Sequence, residues 1–174
     1  MKRRIITARV LNSSGVLNRI TGVFTKRQFN IESITVGHTE TEGVSKMTFV
    51  VSVEDAGKLE QLIKQLNKQI DVLKVTDITD QAIVARELAL IKVMSNAQTR
   101  GEISSIVEPF RATLIDISKE SVTVQVTGDW EKIEAIIDLL RPYGIKEIAR
   151  TGITAFTRGN QKPVTEMKHY YLLQ

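Results

Sequence analysis

Apolar residues first alternate and then recur at helical spacing along this chain, and that sequence of patterns repeats. Ile5 to Leu11 reads as a strand. Val16, Leu17, Ile20, Val23 and Phe24 then fall on one side of a helix, after the polar turn Asn12, Ser13, Ser14 and Gly15. Ile31 to Gly37 predicts a second strand, Thr39 to Gly43 a polar hairpin loop, and Met47, Phe49, Val51 and Val53 a half-buried third strand. Leu59, Leu62, Ile63 and Leu66 form the stripe of a second helix, with Lys58, Glu60, Lys64 and Lys68 on its polar side, and Val72 to Ile78 closes the unit. The order is βαββαβ, a split arrangement that places helices on one face of an antiparallel sheet.

The same order then returns. Leu88 to Val93 predicts a strand, Ile103, Ile106, Val107 and Phe110 a helix, and Thr113 to Ile117 and Val122 to Val126 two strands around Ser118-Lys119-Glu120-Ser121. Ile133, Ile136, Ile137 and Leu140 repeat the stripe of the earlier helix 74 positions on, and Ile145 to Phe156 predicts one last strand. Several elements recurring in one order make a tandem repeat the economical reading. The fold class is therefore α+β, with two tandem ferredoxin-like βαββαβ units. We expect the first unit at 1–78, a short linker at 79–86, the second unit at 87–158 and a mobile tail at 159–174, where Gly159 and Pro163 break the pattern.

Length agrees with this division, since 174 residues accommodate two small domains of roughly 70 to 90 residues each. No cysteine is present, which excludes disulfides and thiolate metal sites and fits a reducing compartment. No run approaches the roughly 20 apolar residues that span a bilayer, and Met1-Lys2-Arg3-Arg4 leads directly into a strand without an apolar signal core. The expected location is the cytoplasm, with no membrane partner.

A net charge of +4 is spread along the chain, and aromatic residues make up only 5%, too few for a base-stacking platform. An RNA-recognition module would share the βαββαβ order but present aromatics on its central strands. Here those strands read IITARVL and SKMTFVV, with Phe49 alone. Nucleic acid is not an expected partner.

Catalytic chemistry is sparse. His38 and His169 are the only histidines, and His38 lies at a strand end beside Thr39-Glu40, where an ordinary surface role outweighs a catalytic one. No metal-ligand cluster, dinucleotide fingerprint or P-loop is present, and a ferredoxin-like mutase or isomerase would need a base in a cleft. The chain reads as non-enzymatic.

Binding chemistry is better supplied. Ser13 or Ser14 is the expected N-cap of the first helix, and Gly15 adds no side chain to obstruct an anion approaching the helix N-terminus. A free amino acid could place its carboxylate at Gly15, Val16 and Leu17, its ammonium on the side-chain oxygens of Asn12 and Asn30, and an aliphatic side chain beside Val16, Leu17 and Ile31. The competing reading of the turn is simple capping. For Asn30 it is a turn from helix to strand through a left-handed backbone, which asparagine tolerates. No role follows from sequence for Glu32 or Ser33, which are expected to face solvent or a dimer surface.

The stretch Ile5 to Ile34, with Asn12, Gly15 and Asn30-Ile31-Glu32-Ser33 at these spacings, resembles the ACT domain of acetolactate synthase (acetohydroxyacid synthase) regulatory subunits. The resemblance runs from Arg3 through Arg158, so it takes in a C-terminal regulatory-subunit domain as well. It implies a homodimer whose ACT domains pair edge to edge, binding valine, or leucine or isoleucine, between Asn12, Gly15, Val16 and Leu17 of one protomer and Asn30 and Ile31 of the other. It also implies a large catalytic subunit carrying thiamine diphosphate, magnesium and FAD, which this chain would activate and make sensitive to end-product inhibition in branched-chain amino acid biosynthesis. No cofactor is expected in this chain itself. The alternative is an ACT-type sensor controlling a different enzyme or a transcription factor.

Overall fold

Alternation in β1 (Lys2–Leu11) buries Ile6, Ala8 and Val10 on one face, and the helical stripes of α1 (Val16–Lys26) and α2 (Ala56–Leu66) close over them. This computed structural model describes residues 2–159. The tail expected at 159–174 lies, beyond Gly159, outside the described residues.

The first unit comprises Met1–Val84 together with the segment from Thr154. Its sheet adds β2 (Ile31–His38), β3 (Val44–Val53) and β4 (Val72–Asp77) to β1, in the antiparallel order β2-β3-β1-β4. In its core Phe24 meets Phe49 with ring centroids 4.8 Å apart. Leu62 and Leu66 of α2 are fully buried, each such side chain contributing about 1.5–3 kcal/mol relative to exposure. Asp55 caps α2 through a carboxylate that accepts from the Gly57 N–H at 2.8 Å.

The second unit, Ala85–Ile153, repeats the plan. It contains β5 (Ile83–Met94), which starts two residues earlier in the first unit, α3 (Thr99–Val107), β6 (Thr113–Ile117), β7 (Ser121–Gly128), α4 (Trp130–Leu140) and β8 (Ile145–Arg150), in the order β6-β7-β5-β8. Ile91, Ile103, Val124, Ile133, Ile136 and Leu140 form its core. The 3₁₀ turns Glu108–Phe110 and Arg141–Tyr143 end α3 and α4, because Pro109 and Pro142 cannot continue either helix. Glu87, almost fully buried, accepts both arms of Arg150 at 2.7 and 2.8 Å, and the same guanidinium lies 4.4 Å from the ring centroid of Trp130. This bidentate pair gives the buried carboxylate the compensation it needs.

The stretch 79–86 is partly ordered: the Thr79 hydroxyl accepts from the Ile5 N–H at 2.8 Å, and β5 already begins at Ile83. Two local expectations differ from the structure. The strand expected from Ile145 to Phe156 is two strands, because Gly152 at φ 81° turns the chain between β8 and β9 (Thr154–Thr157). Finally, β3 is buried on both faces rather than one. Thr48 and Val50, which point away from the helices, are as hidden as Phe49, and β9 lies against β3 within the first unit.

Candidate functional site

At the end of β1 the chain is pinned before it enters α1. The Leu11 N–H donates to the Asp71 carbonyl and the Asn12 N–H to the Gly43 carbonyl, both at 2.8 Å. Gly15 follows at φ 82°, ψ −4°, a left-handed conformation that costs glycine little, and it occupies the N-cap itself. This corrects the expectation of a serine cap. The Ser13 hydroxyl donates instead to the Asp71 carboxylate at 3.2 Å, and no side chain caps the helix. The first N–H groups of α1 therefore lack a side-chain acceptor, and Asn12, Ser13, Ser14 and Gly15 are all exposed.

Arg19, one turn into α1, was not singled out by the pattern. Its Nη2 lies 2.6 Å and its Nε 2.8 Å from Asp71 Oδ2, and Nη2 reaches toward the Ser14 carbonyl at 3.4 Å. A Cβ added at Gly15 would sit 3.0 Å from Arg19 Nη1. The turn is thus bounded by a guanidinium that is already committed to an acid on the far side. Its signal in the sequence is only a cation four positions after a glycine.

The remaining candidates separate into two groups. Val16 is in the core, so it offers a site its backbone and not its side chain; Leu17 is 46% exposed and free to cover an aliphatic ligand. Asn30 is exposed just ahead of β2, and Ile31 is half-buried against the core. The left-handed residue at this corner is Gln28, φ 58°, so the helix-to-strand turn does not need Asn30 to adopt that conformation. Glu32 is engaged by Arg3 at 2.8 Å and by the Ser52 hydroxyl.

Register shows how far apart the two groups lie. Ile31 is level with Val51 and hence with Arg4, whereas Leu11, which leads into Asn12, is level with Val44. At the rise of a β-strand, these levels are separated by about 23 Å. Asn12 to Leu17 and Asn30 to Ile31 occupy opposite ends of one sheet, and a single copy of the chain does not bring them together.

Among the described residues no group of three or more His, Cys, Asp or Glu side chains could hold a metal ion, and no helix is long and apolar enough to cross a membrane. His38 is exposed at the end of β2.

Residues 6–74 match the family described as the AHAS small subunit-like ACT domain, and residues 86–159 match the small subunit of acetolactate synthase. The chain belongs to the acetolactate synthase small-subunit family. It is 69% identical over 166 residues to the acetolactate synthase small subunit of Bacillus subtilis, covering 95% of this chain and 96% of that relative. A probable acetolactate synthase small subunit of Archaeoglobus fulgidus is 50% identical over 160 residues, 92% of this chain and 99% of its own length. The crystal structure of the Thermotoga maritima small subunit is similar with a TM-score of 0.83 at 40% identity, covering 92% of this chain and 99% of that one. Membership carries a regulatory role in branched-chain amino acid biosynthesis beside a catalytic subunit.

Proposed function

We propose that two copies of this chain pair along β2 and bind a branched-chain amino acid, valine or else leucine or isoleucine, in two equivalent sites between them. Each site would combine Asn12, Gly15, Val16 and Leu17 of one copy with Asn30 and Ile31 of the other. The observation that carries this reading is the separation of the two groups along the sheet. β2 is an edge strand, and its His38 end is level with the Asn12 turn. Antiparallel pairing of two β2 edges therefore brings the second copy's Asn30 toward the first copy's turn.

The chemistry at such a junction suits a zwitterion. Uncapped N–H groups of α1 and its dipole receive the carboxylate, contributing about 0.3–2 kcal/mol. Neutral amides of Asn12 and Asn30 receive the ammonium group. Exposed Leu17 and the edge of Ile31 cover the aliphatic side chain, worth about 1.5–3 kcal/mol when buried. After ordering costs the affinity falls in the micromolar to millimolar range expected of a metabolite sensor.

The catalytic chemistry, with thiamine diphosphate, magnesium and FAD, belongs to the large subunit, in the cytoplasm. This chain is non-catalytic, raises that subunit's activity and makes it subject to feedback inhibition. A ligand held between two copies shifts the assembly only by its different affinity for two arrangements of the pair, so the β2 junction is the two-state element.

Calorimetric titration of the full chain with valine, against leucine, isoleucine and lysine, tests the reading, with sedimentation to count copies. Saturable valine binding by a dimer, and not by lysine, is the expected result. Absence of valine binding both alone and with the catalytic subunit would overturn it.

A further inference from the structure

The guanidinium of Arg19 brings more donors to the first turn of α1 than its ion pair uses. Both nitrogens that it gives to Asp71 land on one oxygen, with Nε 2.8 Å and Nη2 2.6 Å from Oδ2. The other oxygen, Oδ1, accepts the Ser13 hydroxyl at 3.2 Å. Contact with a single oxygen needs one donor centre, which the ammonium of a lysine would supply, whereas the planar guanidinium carries donors on three nitrogens. Nη2 also reaches the Ser14 carbonyl at 3.4 Å. Nη1 is left over, and among the described residues it has no hydrogen-bond partner.

The direction of Nη1 is set by the same plane. A Cβ built on Gly15 would lie 3.0 Å from Nη1 and 3.8 Å from Cζ, so this nitrogen fronts the position where any other residue type carries a side chain. The turn itself, at φ 82°, would also tolerate asparagine or aspartate. What glycine alone provides is access to Nη1. The Arg19 side chain is 45% exposed, so the approach is from solvent. Gly15 is moreover the N-cap of α1, whose first N–H groups receive no side-chain cap. Asp71, its side chain only 15% exposed, holds the guanidinium plane in place before any ligand arrives.

We infer that Arg19 Nη1 donates to the carboxylate of the bound amino acid, an inference that rests on the function proposed above and states what that site demands of its ligand. One carboxylate oxygen takes Nη1 and the other takes the uncapped N–H groups of α1. Arg19 thereby bridges two carboxylates, that of Asp71 and that of the ligand. Hydrogen bonds to a charged acceptor are the strong ones, so the site selects a free α-carboxylate. An amide or ester of the same amino acid, or the same residue inside a peptide, offers no ionised oxygen and is discriminated against.

Calorimetric titration of the full chain with valine and with valinamide tests this, for the wild type, Arg19→Lys, Arg19→Gln and Asp71→Ala. The wild type is expected to prefer valine about a hundredfold. Arg19→Lys keeps a cation for Asp71 but lacks the third nitrogen. It should melt as the wild type does, lose about tenfold in valine affinity and keep its valinamide affinity. Arg19→Gln should narrow the preference in the same way. Asp71→Ala loosens the turn but retains the arginine, so both ligands should weaken together and the preference should stand. If instead both Arg19 variants keep the full preference, Arg19 is only a clamp on the turn, and the inference is overturned while the sensor reading survives. Equal binding of valine and valinamide by the wild type would overturn it as well. Absence of valine binding by the wild type, alone and with the catalytic subunit, would overturn both.

Discussion

Arg19 grips Asp71 at 2.6 Å, tying the first turn of α1 to the residue that precedes β4. Asp71 also accepts the Ser13 hydroxyl, so one carboxylate sets both sides of the turn at Gly15.

Removing that carboxylate should therefore be felt at the turn more than in the fold. Partly exposed ion pairs contribute about 0–1 kcal/mol. Asp71→Ala is expected to lower unfolding free energy by no more than that, yet weaken valine binding by about tenfold because the turn is no longer preorganised. Denaturant titration and calorimetry on the same preparation separate the two effects. Wild-type affinity would mean that the turn holds its shape without the clamp.

Gly15→Asp combines three changes. The backbone must keep φ 82° with a side chain present, Arg19 must withdraw from a Cβ only 3.0 Å away, and a fixed negative charge enters the space where the proposed ligand would place its carboxylate. Aspartate tolerates the left-handed region better than most residues, so the fold should survive at a cost of about 1–2 kcal/mol. Valine binding is expected to disappear. A Gly15→Ala control, with the backbone strain but no charge, should retain weakened binding.

The left-handed residue of the turn before β2 is Gln28 and not Asn30. Asn30→Ala is expected to reduce valine affinity by about tenfold and leave dimer dissociation unchanged. Sedimentation across a concentration series checks the second half. A dimer that falls apart would assign Asn30 to the pairing itself.

Acid should loosen the first unit through Asp77. Burial pushes its carboxyl upward, but hydrogen bonds from the Thr79 hydroxyl and amide, together with Arg4, outweigh it and leave the pKa below the usual aspartate value. The ionised form is thus favoured in the folded chain. Its contribution is complete above the unfolded value, about pH 4, and is lost as pH falls toward the lower folded value. Stability measured by urea unfolding should decline below about pH 4, and Asp77→Asn should flatten that decline. Parallel curves for the two proteins would remove Asp77 from the account.

The elements most readable from sequence are those whose cause is local. The stripe of α4 and the alternation of β1 declare themselves because burial on one face repeats with the period of the backbone. What escaped depends on partners distant along the chain. The serines before α1 look like caps until Asp71, 58 residues after Ser13, claims the Ser13 hydroxyl. Thr48 and Val50 look half-buried until β9 returns from the far end of the chain. The two halves of the candidate site were visible as residue types, but their placement at opposite ends of the sheet follows only from register.

The return of β9 also bears on how the chain is made. The segment that covers the outer face of β3 comes from residues that leave the ribosome after the whole second unit has been synthesised. Units otherwise fold in order from the N-terminus during synthesis. Here the N-terminal unit must wait, with the outer face of β3 uncovered, until the C-terminal one has emerged. A nascent chain stalled before Thr154 is therefore unfinished, because the cover of β3 arrives only once the second unit has been made.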